Sequence, residues 1–181
     1  ALGYYEGPLR EAIHRWKYQG KTHINSSFGE WMAKGLHRYW DSVFFDLLIP
    51  VPLHPQRLKE RGFNQALLLV KELNHRTGIP YRKQVLKKVR PTIPQVNLTG
   101  LEREKGVRGS FQIMEGEEVE GRSILLVDDV YTTGATVNEC SKVLLAGGAK
   151  RVDVLTLAHA VKDSRGQGFK GSSETIKNEK E

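Results

Sequence analysis

The feature that most constrains this chain is the stretch Ser123–Thr136, S-I-L-L-V-D-D-V-Y-T-T-G-A-T. A continuous apolar run, Ile124–Val127, meets two adjacent acids and then a turn of hydroxyl residues and glycine. An apolar run of this kind is a strand buried on both faces of a parallel sheet. A helix is expected from Ala135–Thr136, with Val137, Cys140, Val143 and Leu144 along one face and Gly147–Gly148 ending it. Arg151–His159 (R-V-D-V-L-T-L-A-H) reads as the next strand, which completes a βαβ unit. The chain is therefore expected to be α/β, with a mostly parallel sheet of about four or five strands flanked by helices.

In such sheets ligands bind outside the carboxyl ends of the strands, where Asp128–Thr136 falls. Thr132, Thr133 and Thr136 offer hydroxyl donors to phosphate oxygens. Gly134 admits positive φ and close backbone approach. Ala135 opens the helix, whose dipole favours an anion. Asp128 and Asp129 do not suit a phosphate; they suit sugar hydroxyls or a hydrated Mg²⁺. The plain alternative is a strand-to-helix turn using acids and threonines as caps. Together the residues favour a site for a phosphorylated sugar.

This string resembles the phosphoribosyl-pyrophosphate (PRPP) motif of the type I phosphoribosyltransferases. The resemblance implies that Asp128 and Asp129, the candidate catalytic residues, hold the ribose hydroxyls. It implies that Thr132, Thr133, Gly134, Ala135 and Thr136 cradle the 5′-phosphate. No metal site built by protein alone is expected; Mg²⁺ would arrive with PRPP and touch Asp128 or Asp129.

A second stretch narrows the likeness. Leu47–Gln65 reads L-L-I-P-V-P-L-H-P-Q-R-L-K-E-R-G-F-N-Q, an apolar strand, a basic segment, and a helix capped by Asn64. That helix has Ala66, Leu69, Val70 and Leu73 on its apolar face and Gly78 at its end. Leu53, His54, Arg57 and Arg61 are the candidate pyrophosphate loop, although charge alone is equally met by a solvated loop. With V-D-D-V-x-T-T-G-A-T downstream, the chain resembles the competence protein F family. Gly3–Gly20 and Val85–Phe111 also match that family's pattern.

The resemblance implies a role in DNA uptake during natural transformation, with single-stranded DNA and a helicase-like ATPase as partners. A nucleobase-salvage transferase and a PRPP- or nucleotide-sensing module are the alternatives. As an enzyme, the protein would displace pyrophosphate from C1 of PRPP by a nitrogen nucleophile. Arg90–Gly109, with two prolines and three glycines, is expected to be the flexible loop closing over pyrophosphate. Arg90, Arg103 and Arg108 are its candidate contacts, and Thr99 with Glu102 signals a capping box. Two departures stand out. Many members begin with a four-cysteine zinc module, whereas Cys140 is the single cysteine here, and Gly106 stands where an Asn is usual. The opening at Ala1 favours a partial chain.

A domain over 1–161 is expected, with 1–45 a helical hood region and 162–181 a polar tail without an apolar face. Leu9, Ile13 and Trp16 form one helical stripe after Pro8; Phe28, Met32, Leu36 and Tyr39 form another. The aromatic residues at this end are expected in the core. The net charge of +7 attracts phosphates, nucleic acid or acidic proteins without choosing among them. No apolar run is long enough to span a bilayer, and the lone cysteine provides no disulfide framework, so a cytoplasmic protein without membrane insertion is expected.

Overall fold

The computed structural model describes residues 1–19, 22–40, 44–90 and 106–160. Its centre is a four-stranded, all-parallel sheet in the order β1-β6-β5-β2. The strands are β1 (Gly3–Tyr4), β2 (Leu47–Pro50), β5 (Ser123–Tyr131) and β6 (Arg151–His159). A separate antiparallel pair, β3 (Leu86–Lys88) with β4 (Phe111–Ile113), lies to one side. The helices are α1 (Gly7–Gln19), α2 (Asn25–Trp40), α3 (Pro55–Arg61), α4 (Gln65–Thr77) and α5 (Ala135–Ala146).

The apolar run of β5 divides itself between two cores, because successive side chains of a strand point to opposite faces. Leu125 and Val127 join Ile13 and Trp16 of α1, Phe28, Met32 and Leu36 of α2, and Leu69, Val70 and Leu73 of α4. Ile124 and Leu126 face the other way, onto Val137, Cys140 and Leu144 of α5 and Phe111 of β4. All four β5 residues are fully buried. Burying one such side chain contributes about 1.5–3 kcal/mol, so truncating Leu126 removes that and leaves a cavity as well.

The helix termini follow the local sequence. Asn64 caps α4: its Oδ1 accepts from the Leu67 amide at 3.4 Å, and its Nδ2 donates to the Val51 carbonyl at 3.0 Å. Gly78 ends α4 in the left-handed conformation. The expected βαβ unit is present, with α5 starting at Ala135 and β6 spanning Arg151–His159. Where α2 crosses α4, a Cβ on Gly29 would lie 2.3 Å from the Glu72 Cβ, so glycine permits the approach.

Three readings change. β5 continues through Asp128 and Asp129 to Tyr131, so the acids belong to the end of the strand and not to the following turn. The basic segment after β2 is not an open loop: Pro55–Arg61 is helical, with Pro55 in the first turn and the His54 imidazole accepting from the Gln56 amide at 3.3 Å. Tyr39 leaves the apolar stripe of α2; it is 60% exposed, whereas Phe28, Met32 and Leu36 are buried. The N-terminal region contributes β1 as an edge strand, and α2 packs on α4 and β6. Trp16 is fully buried and donates its indole N–H to Asn25 at 2.6 Å. Arg103, the Thr99–Glu102 box and the 162–181 tail lie outside the described residues. No helix among the described residues is long and apolar enough to cross a membrane.

Candidate functional site

The carboxyl end of β5 carries the candidate site. Asp128 and Asp129 are consecutive, so their side chains leave the strand on opposite sides. Asp129 continues the row of Leu125 and Val127 and meets α1: Lys17 Nζ donates to Asp129 Oδ1 at 2.8 Å. The two side chains are only 15% and 12% exposed. Asp128 continues the row of Ile124 and Leu126, on the side of β3 and α5, where Lys88 and Cys140 lie close enough to act on it electrostatically. Its Oδ1 accepts from the Asp129 amide at 2.9 Å.

Burial, and then the Asp129 carboxylate, push the Asp128 acid up to about 7; the Asp129 amide, Lys17 and Lys88 act in the opposite direction. Burial lowers the Lys88 pKa, opposed by Cys140 and Asp128. Burial also pushes the Cys140 thiol up, which makes this fully buried cysteine a core residue, as expected from its place on the helix face.

The turn after β5 is formed by Thr132, Thr133 and Gly134. Gly134 has φ +78° at the N-terminus of α5 and makes no side-chain cap. A Cβ there would lie 2.3 Å from the Tyr131 hydroxyl, so the Tyr131 ring folds back over the turn. That ring also packs edge-on against His159, at 5.1 Å, at the end of β6. Thr133 Oγ1 accepts from the Ala135 amide at 3.4 Å. Thr132 is exposed and Thr136 half-buried, while Ala135 is buried. The turn is thus a tight strand-to-helix corner with hydroxyls and the α5 N-terminus at one place, as a phosphate cradle requires.

Two cations of the basic segment, Arg57 and Arg61, are already engaged. Arg57 pairs with Glu60 at 3.3 Å. Arg61 donates to Gln65 Oε1 at 3.0 Å, and its guanidinium stands 5.5 Å from the centre of the Tyr18 ring. His54 serves as the α3 cap, and Leu53, half-buried, precedes it. On the other side, Arg90 and Arg108 are exposed next to β3 and β4. These flanks are held together by a Val89–Ser110 backbone hydrogen bond of 2.8 Å. The Gly109 amide donates to Glu139 of α5 at 2.6 Å.

Sequence reasoning missed Lys17, Lys88, Tyr131 and His159 as neighbours of the site. Lys17 is separated from Asp129 by 112 positions, and no local pattern links them. His159 could have been found, since parallel pairing of β5 and β6 puts it opposite Tyr131.

A divalent cation is the group this chemistry implies. The donor set fits poorly: the two hard carboxylates are adjacent in sequence but leave the strand end on opposite sides, and Asp129 is already paired with Lys17. Among the described residues, no group of three or more His, Cys, Asp or Glu side chains is arranged to hold a metal. The remaining ligands would have to come from a bound molecule and water.

Comparison with known proteins agrees with this fold. The family model "Phosphoribosyl transferase domain" matches residues 69–178. The chain is 33% identical over 163 residues to Competence protein F of Haemophilus influenzae, covering 88% of this chain and 71% of that protein. It is 31% identical over 160 residues to DNA utilization protein YhgH of Escherichia coli K12, covering 87% and 70%. Among solved structures, adenine phosphoribosyltransferase from Thermoanaerobacter pseudethanolicus superposes with a TM-score of 0.51 at 19% identity, over 78% of this chain and 71% of that one. This last likeness concerns the fold alone.

Proposed function

The chain belongs to the competence protein F family, within the phosphoribosyltransferases of type I fold, and from that premise we propose that it binds PRPP at the end of β5 in the service of DNA uptake. The observation that carries the reading is the junction of β5 and α5. Two acids, a positive-φ glycine and a helix N-terminus follow each other within nine residues, at the carboxyl edge of a parallel sheet.

In this reading the turn Thr132–Gly134 and the first residues of α5, Ala135 and Thr136, hold the 5′-phosphate through hydroxyls and backbone amides. Asp128 and Asp129 accept hydrogen bonds from the ribose hydroxyls. Arg57 and Arg61 of α3, with Arg90 and Arg108 beside β3 and β4, provide positive charge for the pyrophosphate. Mg²⁺ bound with PRPP supplies charge neutralisation for the leaving pyrophosphate. The Tyr131 ring, folded over Gly134, sets the width of the cradle.

If transfer occurs, a nitrogen nucleophile forms a bond to C1 as the C1–O bond to pyrophosphate breaks, and the chain's task is orientation and charge stabilisation. The names of the relatives, competence and DNA utilization, support placing this binding in DNA handling. Single-stranded DNA and a competence ATPase are the partners we propose.

Calorimetric titration with Mg²⁺ and PRPP tests the proposal, beside the Asp128→Asn/Asp129→Asn variant. We expect saturable binding by the natural protein and a loss of at least about tenfold, ~1.4 kcal/mol, in the variant with its fold unchanged. Equal affinities in the two proteins would remove the acids from the site. Absence of binding in both would make the motif an inherited scaffold.

A further inference from the structure

Gly134 does more at the corner than tolerate a φ of +78°. The tip of the Tyr131 ring occupies the space that a side chain at 134 would take: a Cβ there would stand 2.3 Å from the hydroxyl and 2.7 Å from Cζ. The phenol is therefore laid against the residue that opens α5. Its backbone is fixed at the end of β5, where the Tyr131 carbonyl accepts from the Ala160 amide at 2.8 Å. The ring packs with the core on the α5 side, and it meets the His159 ring edge-on, with 5.1 Å between centroids and 71° between planes.

Packing alone needs no hydroxyl at this place, since phenylalanine supplies the same ring. The hydroxyl has no hydrogen-bond partner among the described residues. It stands beside the start of a twelve-residue helix whose N-cap, Gly134, has no side chain to offer. The Asn138 amide donates to the Gly134 carbonyl at 2.8 Å, and Thr133 Oγ1 takes the Ala135 amide. The amides of Thr136 and Val137 are left without a helical acceptor. A hydroxyl donor beside amide donors, at the positive end of a helix dipole, is matched by an anion.

We propose that the Tyr131 hydroxyl is a further phosphate donor of the cradle, and that His159 is the positioning residue that holds its ring in place. The inference rests on the PRPP reading, which makes the anion the 5′-phosphate of a phosphorylated sugar. The terminal oxygens of that phosphate then meet helix amides, threonine hydroxyls and the phenol together. Gly134 serves the arrangement twice, by its positive φ and by leaving room for the ring. His159 touches no ligand in this scheme; it acts through Tyr131, its partner across the β5–β6 pairing.

The test is calorimetric titration with ribose 5-phosphate, and with PRPP and Mg²⁺, of the natural protein, Tyr131→Phe, His159→Ala and the double variant. Tyr131→Phe keeps the ring and removes an oxygen that no described residue binds, so its melting temperature should stay unchanged. Loss of a donor to a charged phosphate should weaken both ligands by the same factor, at least about tenfold. His159→Ala should weaken ribose 5-phosphate by roughly threefold, and should cost nothing more once Tyr131 is phenylalanine. Equal affinity of the natural protein and Tyr131→Phe for ribose 5-phosphate would overturn the proposal and leave the PRPP reading standing. A loss confined to PRPP would also overturn it, because the hydroxyl would then serve the pyrophosphate end. A His159 effect of equal size in both backgrounds would remove its positioning role. A natural protein that binds neither ligand would sink the PRPP reading, and this inference with it.

Discussion

The β5–α5 corner and the α3 segment flank the proposed ligand from two sides, and they are built by opposite means. The corner is continuous with the sheet. Its acids extend the two buried rows of β5, and Gly134 and Ala135 are themselves buried. α3 has no buried residue; it is a seven-residue helix held by a proline, a histidine cap and Gly62. Both were read from charged residues placed after a strand. The difference teaches that charge alone does not make a group available. Asp129 is engaged by a lysine from another layer, while Arg57 is engaged by Glu60 of its own helix, at the surface. The first pairing is shielded and coupled to the fold; the second is solvent-exposed and of little energetic weight.

The sharpest way to break the contrast is Gly134→Val at the corner. Positive φ and the nearby Tyr131 hydroxyl resist any side chain there. Stability should fall by ~1–3 kcal/mol and PRPP binding should be lost. Thermal melts and calorimetry check both, and a variant that binds normally would show that the corner geometry does not set the cradle.

Next in size is the pH dependence of Asp128. Its acid sits near 7 in the folded protein, against an ordinary 3.8. A raised folded pKa contributes stability that is full below pH 4 and is lost as pH rises through 7. Asp128→Asn should therefore match the natural protein in stability below pH 4, apart from any constant offset. It should gain ~1–3 kcal/mol relative to it by pH 8. Urea unfolding at a series of pH values measures this, and a difference that does not change with pH would remove the proposed burial of the acid.

Asn64→Ala removes the α4 cap and the bond to the Val51 carbonyl, which together tie the residue after β2 to the start of α4. A cost of about 1 kcal/mol in the urea midpoint is expected. His54→Ala, the corresponding change in α3, should cost about 0.5 kcal/mol, because that cap is exposed and its helix buries nothing. A His54 effect equal to that of Asn64 would mean that α3 is as integral to the fold as α4.

Much of the frame of the candidate site was legible because it is local. The apolar run, the two acids, the hydroxyl turn and the helix after Gly134 are successive along the chain, and each has its own signal. The extent of β5 was less legible: two adjacent acids are poor strand signals, yet pairing with Thr156, Ala158 and His159 of β6 carries the strand through them to Tyr131. α3 was missed as a helix because seven residues, four of them charged, give no apolar period to read.

By itself, then, the sequence determined the βαβ frame, the position of the acids at a strand end, the start of α5 and the caps of α4. These depend on steric and hydrogen-bonding preferences within a few residues. Tertiary structure alone decided that Gly3–Tyr4 closes an edge of the sheet, since two residues carry no periodicity. It also decided that the two acids face different layers with different partners. Lys17 and Asp129 meet because α1 packs on one face of β5, a long-range burial that brings together charges no local rule connects.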